Sequence, residues 1–290
     1  MIHVIQIITK LTKVFTPSQQ GRVMGGGVAA LFAFLFLSAC TTISEDERLI
    51  FVKPPQSARA VLIEDFTGQR CINCPNAAAE IERLKEQYGA DTIIAVAIHS
   101  GPLAVYSRGN VLGLRTEEGD AYYDHWGIEQ EPMGYINRRG AISTVDQWAT
   151  LVREAIQLPS DLSLKLEAKV PEDARKVHIS LEITNGVPVD GHVQVWLTES
   201  EITALQMMPD GSANQSYIHQ HVFRKAVNGL WGDPYSAKAG DIDELSFECE
   251  LGEAWNPAFL SVVAFVYNSE GVQQVVEKKV DFDLTKVPED

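Results

Sequence analysis

The chain has 290 residues, a formal charge of −15 at pH 7 and 45% hydrophobic residues. That apolar content can fill a core and excludes a disordered chain, and the acidic balance argues against nucleic-acid binding, which needs a basic face. The length suits one large or two ordinary domains.

The first 39 residues predict a signal peptide. Lys10, Lys13 and Arg22 give a positive start without acids, and Val28 to Leu37 reads VAALFAFLFL. Ten apolar residues are too few to span a bilayer, which takes about 20, but they suit the apolar region of an export signal. Leu37-Ser38-Ala39-Cys40 follows and resembles the bacterial lipobox, which implies cleavage before Cys40 and a lipid on its thiol. Stable anchoring needs more than one acyl chain, and the resemblance implies several. Residues 40–57 are expected to be the lipidated terminus and a tether. Within them Ser44-Glu45-Asp46-Glu47 is acidic and resembles the surface-export tag of Bacteroidetes lipoproteins; a plain solvated tether is the other reading.

From residue 58 the pattern changes. Ala60-Val61-Leu62-Ile63 is a short apolar run, expected as a strand buried on both faces. Cys71-Ile72-Asn73-Cys74-Pro75 follows a turn at Thr67-Gly68. Ala77, Ala78, Ile81, Leu84 and Tyr88 recur at helical spacing, with Gly89 suited to the helix end. Thr92 to His99 predicts a second buried strand, completing a βαβ unit. Gly101 to Asp124 is an excursion with some helix. Tyr135-Ile136-Asn137 predicts a strand, and Thr144 to Leu158 a closing helix. The mixed sheet of this α/β unit, flanked by helices, is expected over 58–158. After Pro159 the period becomes two: Leu162 to Val170, Val177 to Ile183, Val193 to Leu197 and Leu260 to Val266 alternate, and Val272, Val275 and Val280 follow. Short alternating strands predict an antiparallel all-β sandwich over 160–286.

The Cys-x-x-Cys on a strand-to-helix turn resembles the thioredoxin superfamily. Asp65-Phe66 at the end of the first strand, and Glu131-Pro132 in the place of that superfamily's cis-proline, agree with it. Cys-x-x-Cys pairs also serve zinc, but no second pair at finger spacing accompanies this one, so neither a metal nor a cofactor is expected. The mature chain as a whole is similar to the Omp28-related lipoproteins of Bacteroidetes. The similarity is carried by Glu64-Asp65-Phe66-Thr67-Gly68 through Cys71-x-x-Cys74-Pro75, by Tyr217 to Arg224, by Asn228 to Gly232, and by Val263 to Asn268. It implies a thioredoxin-like domain, then an immunoglobulin-like sandwich, in an outer membrane lipoprotein on the periplasmic side or the cell surface.

The chemistry such a pair performs is thiol–disulfide exchange. A helix amino terminus favours a thiolate, so Cys71 is the expected nucleophile and Cys74 the resolving thiol. Asp65 is the candidate proton acceptor for Cys74. Glu64 is its rival, because one residue of register decides which of them faces the pair. Pro132, if cis, sets backbone against Cys71 to receive a partner as an extra strand. Arg70, before the first cysteine, is expected to stabilise the thiolate further. The expected partners are the membrane, through the lipid on Cys40, and protein thiols or disulfides; nucleic acid is not among them. The competing reading is a non-enzymatic surface lipoprotein in which the disulfide only staples the turn. His219 and His221 are read as structural, Cys249 as core, Trp196, Trp231 and Trp255 as sandwich core or rim, and Arg224 with Asp233 as a candidate ion pair.

Overall fold

The computed structural model describes residues 59–171 and 175–282. The expected export signal, Cys40 and the acidic run at 44–47 therefore lie outside the described residues. Among the described residues no helix is long and apolar enough to cross a membrane.

The first half is built on β1 (Val61–Thr67), α1 (Cys74–Tyr88) and β2 (Ile93–His99), with β1 and β2 parallel from Val61–Ile93 to Thr67–His99. Then come α2 (Glu117–His125), β3 (Met133–Ile136) and α3 (Val145–Ile156), with β3 antiparallel to β1. β1 is buried along its whole length, so its two-residue period sorts side chains between two dry layers. Val61 and Ile63 meet α1 and α3 through Ile81, Leu84, Trp148 and Val152. Leu62 and Phe66 face the opposite layer with Tyr122 of α2. Gly134 on β3 lets α3 come close: a Cβ there would lie 2.4 Å from the Trp148 ring.

The second half supplies ten strands: β4 (Leu162–Lys169), β5 (Lys176–Asn185), β6 (Val189–Glu199), β7 (Ile202–Met207), β8 (Ala213–His219), β9 (Val222–Ala226), β10 (Asp233–Ala237), β11 (Ile242–Glu250), β12 (Leu260–Asn268) and β13 (Gly271–Lys279). The alternating runs of the sequence reappear as β4, β5, β6, β12 and β13. β11, β5 and β4 form a three-stranded sheet, and β7 with β8 a separate two-stranded hairpin. The remaining strands join the first half in one mixed sheet of order β13-β12-β6-β9-β2-β1-β3, with β10 also on β6. The joint is β9, which is parallel to β2 at Ala97–Val222. The ends of this sheet are also drawn together: the Val272 N–H donates to the Asn137 carbonyl (2.7 Å), and the Ala60 N–H to Gln274 Oε1 (3.0 Å).

β6 shows why the halves share one core. Val193, Val195 and Leu197 face the three-stranded sheet, in a cluster with Leu181, Val262 and the free Cys249. Trp196, on the other face, joins the layer of Tyr122, Phe223 and Phe265. Arg224 pairs with Glu199 at 2.7 Å rather than with Asp233, which accepts from Asn228. Both Glu199 and Arg224 sit on paired strands of the sheet, so the partner is set by strand pairing and not by nearness in sequence.

Candidate functional site

Cys71 and Cys74 form a disulfide at the amino end of α1. The Gly68 carbonyl accepts from the Cys71 N–H at 3.0 Å, closing the turn. Pro75 in the first turn of the helix lacks the N–H that would be unpaired there. The Glu131–Pro132 peptide is cis.

Register separates the two carboxylates of β1. Asp65 lies on the layer facing α1 and borders a cavity of about 270 Å³ together with Cys74, His99, Gln206, Tyr217 and His219. It is buried, its Oδ1 lacks a hydrogen-bond partner, and its pKa is pushed up to about 8, first by burial and then by the charge of Glu131. Glu64 points the other way. Its carboxylate takes three hydrogen bonds of 2.9 to 3.2 Å from Arg138, both side chains being fully enclosed. The guanidinium is ringed by Trp126, Trp196, Phe265 and Tyr267 at 4.6 to 5.5 Å. Burial alone would lower the Arg138 pKa, but Glu64 raises it.

Glu131 stands next to Pro132 and close to the disulfide. One of its carboxylate oxygens and the two sulfurs all lie within 4.8 Å of one another. This trio is the potential metal-ligand group among the described residues, and its sulfurs are joined to each other. Both Glu131 oxygens are buried without a hydrogen-bond partner among the described residues. Its pKa is pushed up to about 8, chiefly by burial; Arg115 opposes the shift and Asp120 adds to it. Gly68 makes the approach possible, since a Cβ there would sit 2.6 Å from Glu131 Oε2.

The sequence pointed to an attackable Cys71 and a more buried Cys74. Both are 3% exposed, because other segments lie over them. Gln206 on β7 donates to the Cys71 carbonyl at 2.8 Å, and the Met207 N–H to the Gln69 carbonyl at 2.8 Å. Gln69, fully buried, donates to the Leu112 and Leu205 carbonyls and accepts from the Leu114 N–H, tying the cysteine turn to both the hairpin and the 101–116 excursion. Of the turn itself Ile72 is exposed, as is Arg70, whose backbone N–H donates to Leu103. His219 ends β8, with its ring 5.2 Å from that of His99, and burial lowers the pKa of both, that of His219 to about 4. His221 lies beyond β8 at positive φ, in contact with Lys85, so the two histidines do not share a strand face.

Sequence reasoning thus placed Cys71, Cys74, Asp65 and Pro132 together in chemistry, and missed Glu131, Gln69, Gln206 and the β7–β8 hairpin. The signal for Glu131 was available: an acid beside the proline that faces the pair. Gln69 and Gln206 carry none, because their role depends on contacts across more than 130 residues.

The family profile described as "Outer membrane protein Omp28" matches residues 119–283. The match takes in Glu131, Pro132 and Arg138 but begins after the cysteine pair. Among solved structures, the chain is similar to HBP35 of Porphyromonas gingivalis, with TM-score 0.59, 15% identity, 77% of this chain covered and 76% of that one. A domain of the outer membrane lipoprotein Omp28 from Porphyromonas gingivalis aligns with TM-score 0.30 and 22% identity, over 41% of this chain and 88% of that one. No curated protein matches the chain. The profile covers more than half of the sequence, so the chain belongs to the Omp28 family of outer membrane proteins and has its place in the cell envelope.

Proposed function

We propose that this is an envelope thiol–disulfide exchange protein, anchored by lipid on Cys40, whose Cys71–Cys74 pair reacts with thiols or disulfides of other proteins. On this reading residues 58–158 are a thioredoxin-like unit and 160–286 an immunoglobulin-like sandwich. The carrying observation is the company the disulfide keeps: a helix amino terminus and two buried carboxyls with raised pKa, one bordering the cavity that Cys74 lines and the other within 4.8 Å of both sulfurs. Perturbed titratable groups gathered at one reactive pair are the usual mark of a working site. Cys71 is the nucleophile, since free N–H groups at the helix start favour its thiolate. Cys74 resolves the mixed disulfide and Asp65 exchanges its proton. Arg70 adds positive charge beside the nucleophile, and Glu64 has no direct part because its carboxylate is held by Arg138.

The equilibrium of the pair against glutathione tests this. A potential between roughly −120 and −270 mV with fast exchange is the expected result; one below about −300 mV with slow exchange would mark an inert staple and sink the proposal. With Cys74→Ser, partners are expected to remain trapped on Cys71 as mixed disulfides.

The staple reading has one observation in its favour, the 3% exposure of both cysteines. If the site works, the β7–β8 hairpin has to lift. Gln206→Ala removes the bond holding the hairpin to the Cys71 carbonyl. A net hydrogen bond of about 1 kcal/mol predicts disulfide reduction by dithiothreitol roughly 5-fold faster in that variant. A stapling disulfide that reacts only on global unfolding would be accelerated equally, so the readings are separated by the denaturant dependence of the reduction rate: the full m-value of unfolding for the staple, and a much shallower slope for a hairpin that lifts locally.

A further inference from the structure

Two carboxyls flank the one disulfide, and the exchange reading above uses only Asp65. Asp65 borders the cavity that Cys74 also lines. Glu131 brings a carboxylate oxygen to within 4.8 Å of both sulfurs, close to Gly68 and Gly101. A buried carboxylate whose two oxygens have no partner among the described residues is costly to keep. The groups facing it are Asp65 from β1, Tyr123 and Asp120 from α2, Arg115 ahead of α2, and the two sulfurs. Arg115 is already held by Asp120 at 2.8 Å, so Glu131 has no hydrogen-bonded cation.

We infer that Glu131 is the proton carrier for Cys71, so that each cysteine of the pair has its own carboxyl. This rests on the exchange reading. In the oxidising direction for this protein, the Cys71 thiol passes its proton to the Glu131 carboxylate. The thiolate attacks one sulfur of a partner disulfide; a Cys71–S bond forms, the partner's S–S bond breaks, and its other sulfur leaves with the electron pair as a thiolate. Cys74 then passes its proton to Asp65 and attacks Cys71 Sγ. The Cys71–Cys74 bond forms and the second partner sulfur leaves as a thiolate. The cysteine pair is oxidised and the partner disulfide reduced. The two carboxyls return their protons through solvent to the two departing thiolates.

A carboxylate this close couples to the thiol, so the two titrate as a pair with separated apparent values. The probe is oxidised glutathione, reacting with the reduced, otherwise intact protein across pH 5 to 10. In the wild type the rate of mixed-disulfide formation at Cys71 is expected to rise in two steps, whose apparent values belong to the carboxyl and the thiol together. Glu131→Gln is expected to leave a single step and to lower the rate at the upper plateau by on the order of 10-fold or more. Glu131→Asp keeps two steps. A residue that only shapes the turn would scale the rate without changing the number of steps. A second readout needs no exchange: the Asp65 carboxyl, followed by NMR, should titrate at lower pH in Glu131→Gln, because Glu131 helps to raise it. A wild type that exchanges with two steps, with Glu131→Gln also showing two, would overturn the role of Glu131 alone. A wild type that does not react with glutathione at all overturns both this role and the exchange reading.

Discussion

Asp65→Asn is expected to be more stable than the wild type at pH 7, by up to about 4 kcal/mol, and to match it near pH 4. The cause is the pKa of about 8 that burial imposes on this carboxyl, against about 3.9 in an unfolded chain. The folded state therefore binds more protons than the unfolded state between those values. Stability contributed by the protonated carboxyl is complete below the unfolded pKa and is lost as the pH rises towards 8, where the loss levels off. Asparagine fills the same space without titrating, so the variant escapes the loss. Urea unfolding at several pH values measures the gap. A gap that stays constant from pH 4 to pH 8 would show that Asp65 titrates normally and has no claim to a tuned role. The same experiment bears on function, because a residue that stabilises the protein when removed is retained for something other than stability.

Arg138→Leu is the opposite case. It is expected to destabilise the protein by roughly 3–5 kcal/mol, since it leaves the Glu64 carboxylate enclosed without its partner. Adding Glu64→Leu to that variant is expected to restore most of the stability, an apolar pair being an adequate filling for such a site. Both measurements are denaturant titrations. If the double variant is no better than the single one, the aromatic ring contacts of Arg138, and not its charge pairing, hold this layer together. Exchange with glutathione should be unchanged in any variant that folds, because Glu64 faces away from the cysteines.

These two residues mark how far the sequence could be read. The apolar run at residues 60–63 announces β1, but the strand continues to Thr67 through two acids that a hydrophobic pattern reads as an ending. Only the alternation of the strand shows that Asp65 meets the disulfide and Glu64 meets Arg138, and that alternation has no reference point until the layers on either side are known. The strands β4, β5, β6, β12 and β13 were legible because one face of each is wet or differently lined. β7 and β8 were not: β7 alternates in burial but turns Gln206 inward and leaves Leu205 and Met207 half-buried, against the polarity of its residues, and most of β8 is exposed without a two-residue rhythm. Cys71, Cys74 and Pro132 could be found because their chemistry demands particular residue types at particular spacings. Glutamines that hold a loop by contacts across more than 130 residues satisfy no such demand. Trp196 was placed in the right kind of surroundings but beside the wrong neighbours, since β6 presents one face to each half of the molecule.

The halves are fastened at several places, among them β2 against β9, the start of β1 against β13, and the shared layer of Tyr122 and Trp196. Fastenings at more than one place resist a swing of one part against the other, as a door fixed on both edges resists opening. On the exchange reading, the motion that uncovers the sulfurs is a local one of the segments tied to the cysteine turn, the β7–β8 ribbon outside the main sheet and the 101–116 excursion. On that reading the size of a partner is set by the reach of short segments, the hairpin being Ile202 to His219, rather than by the gape of two lobes.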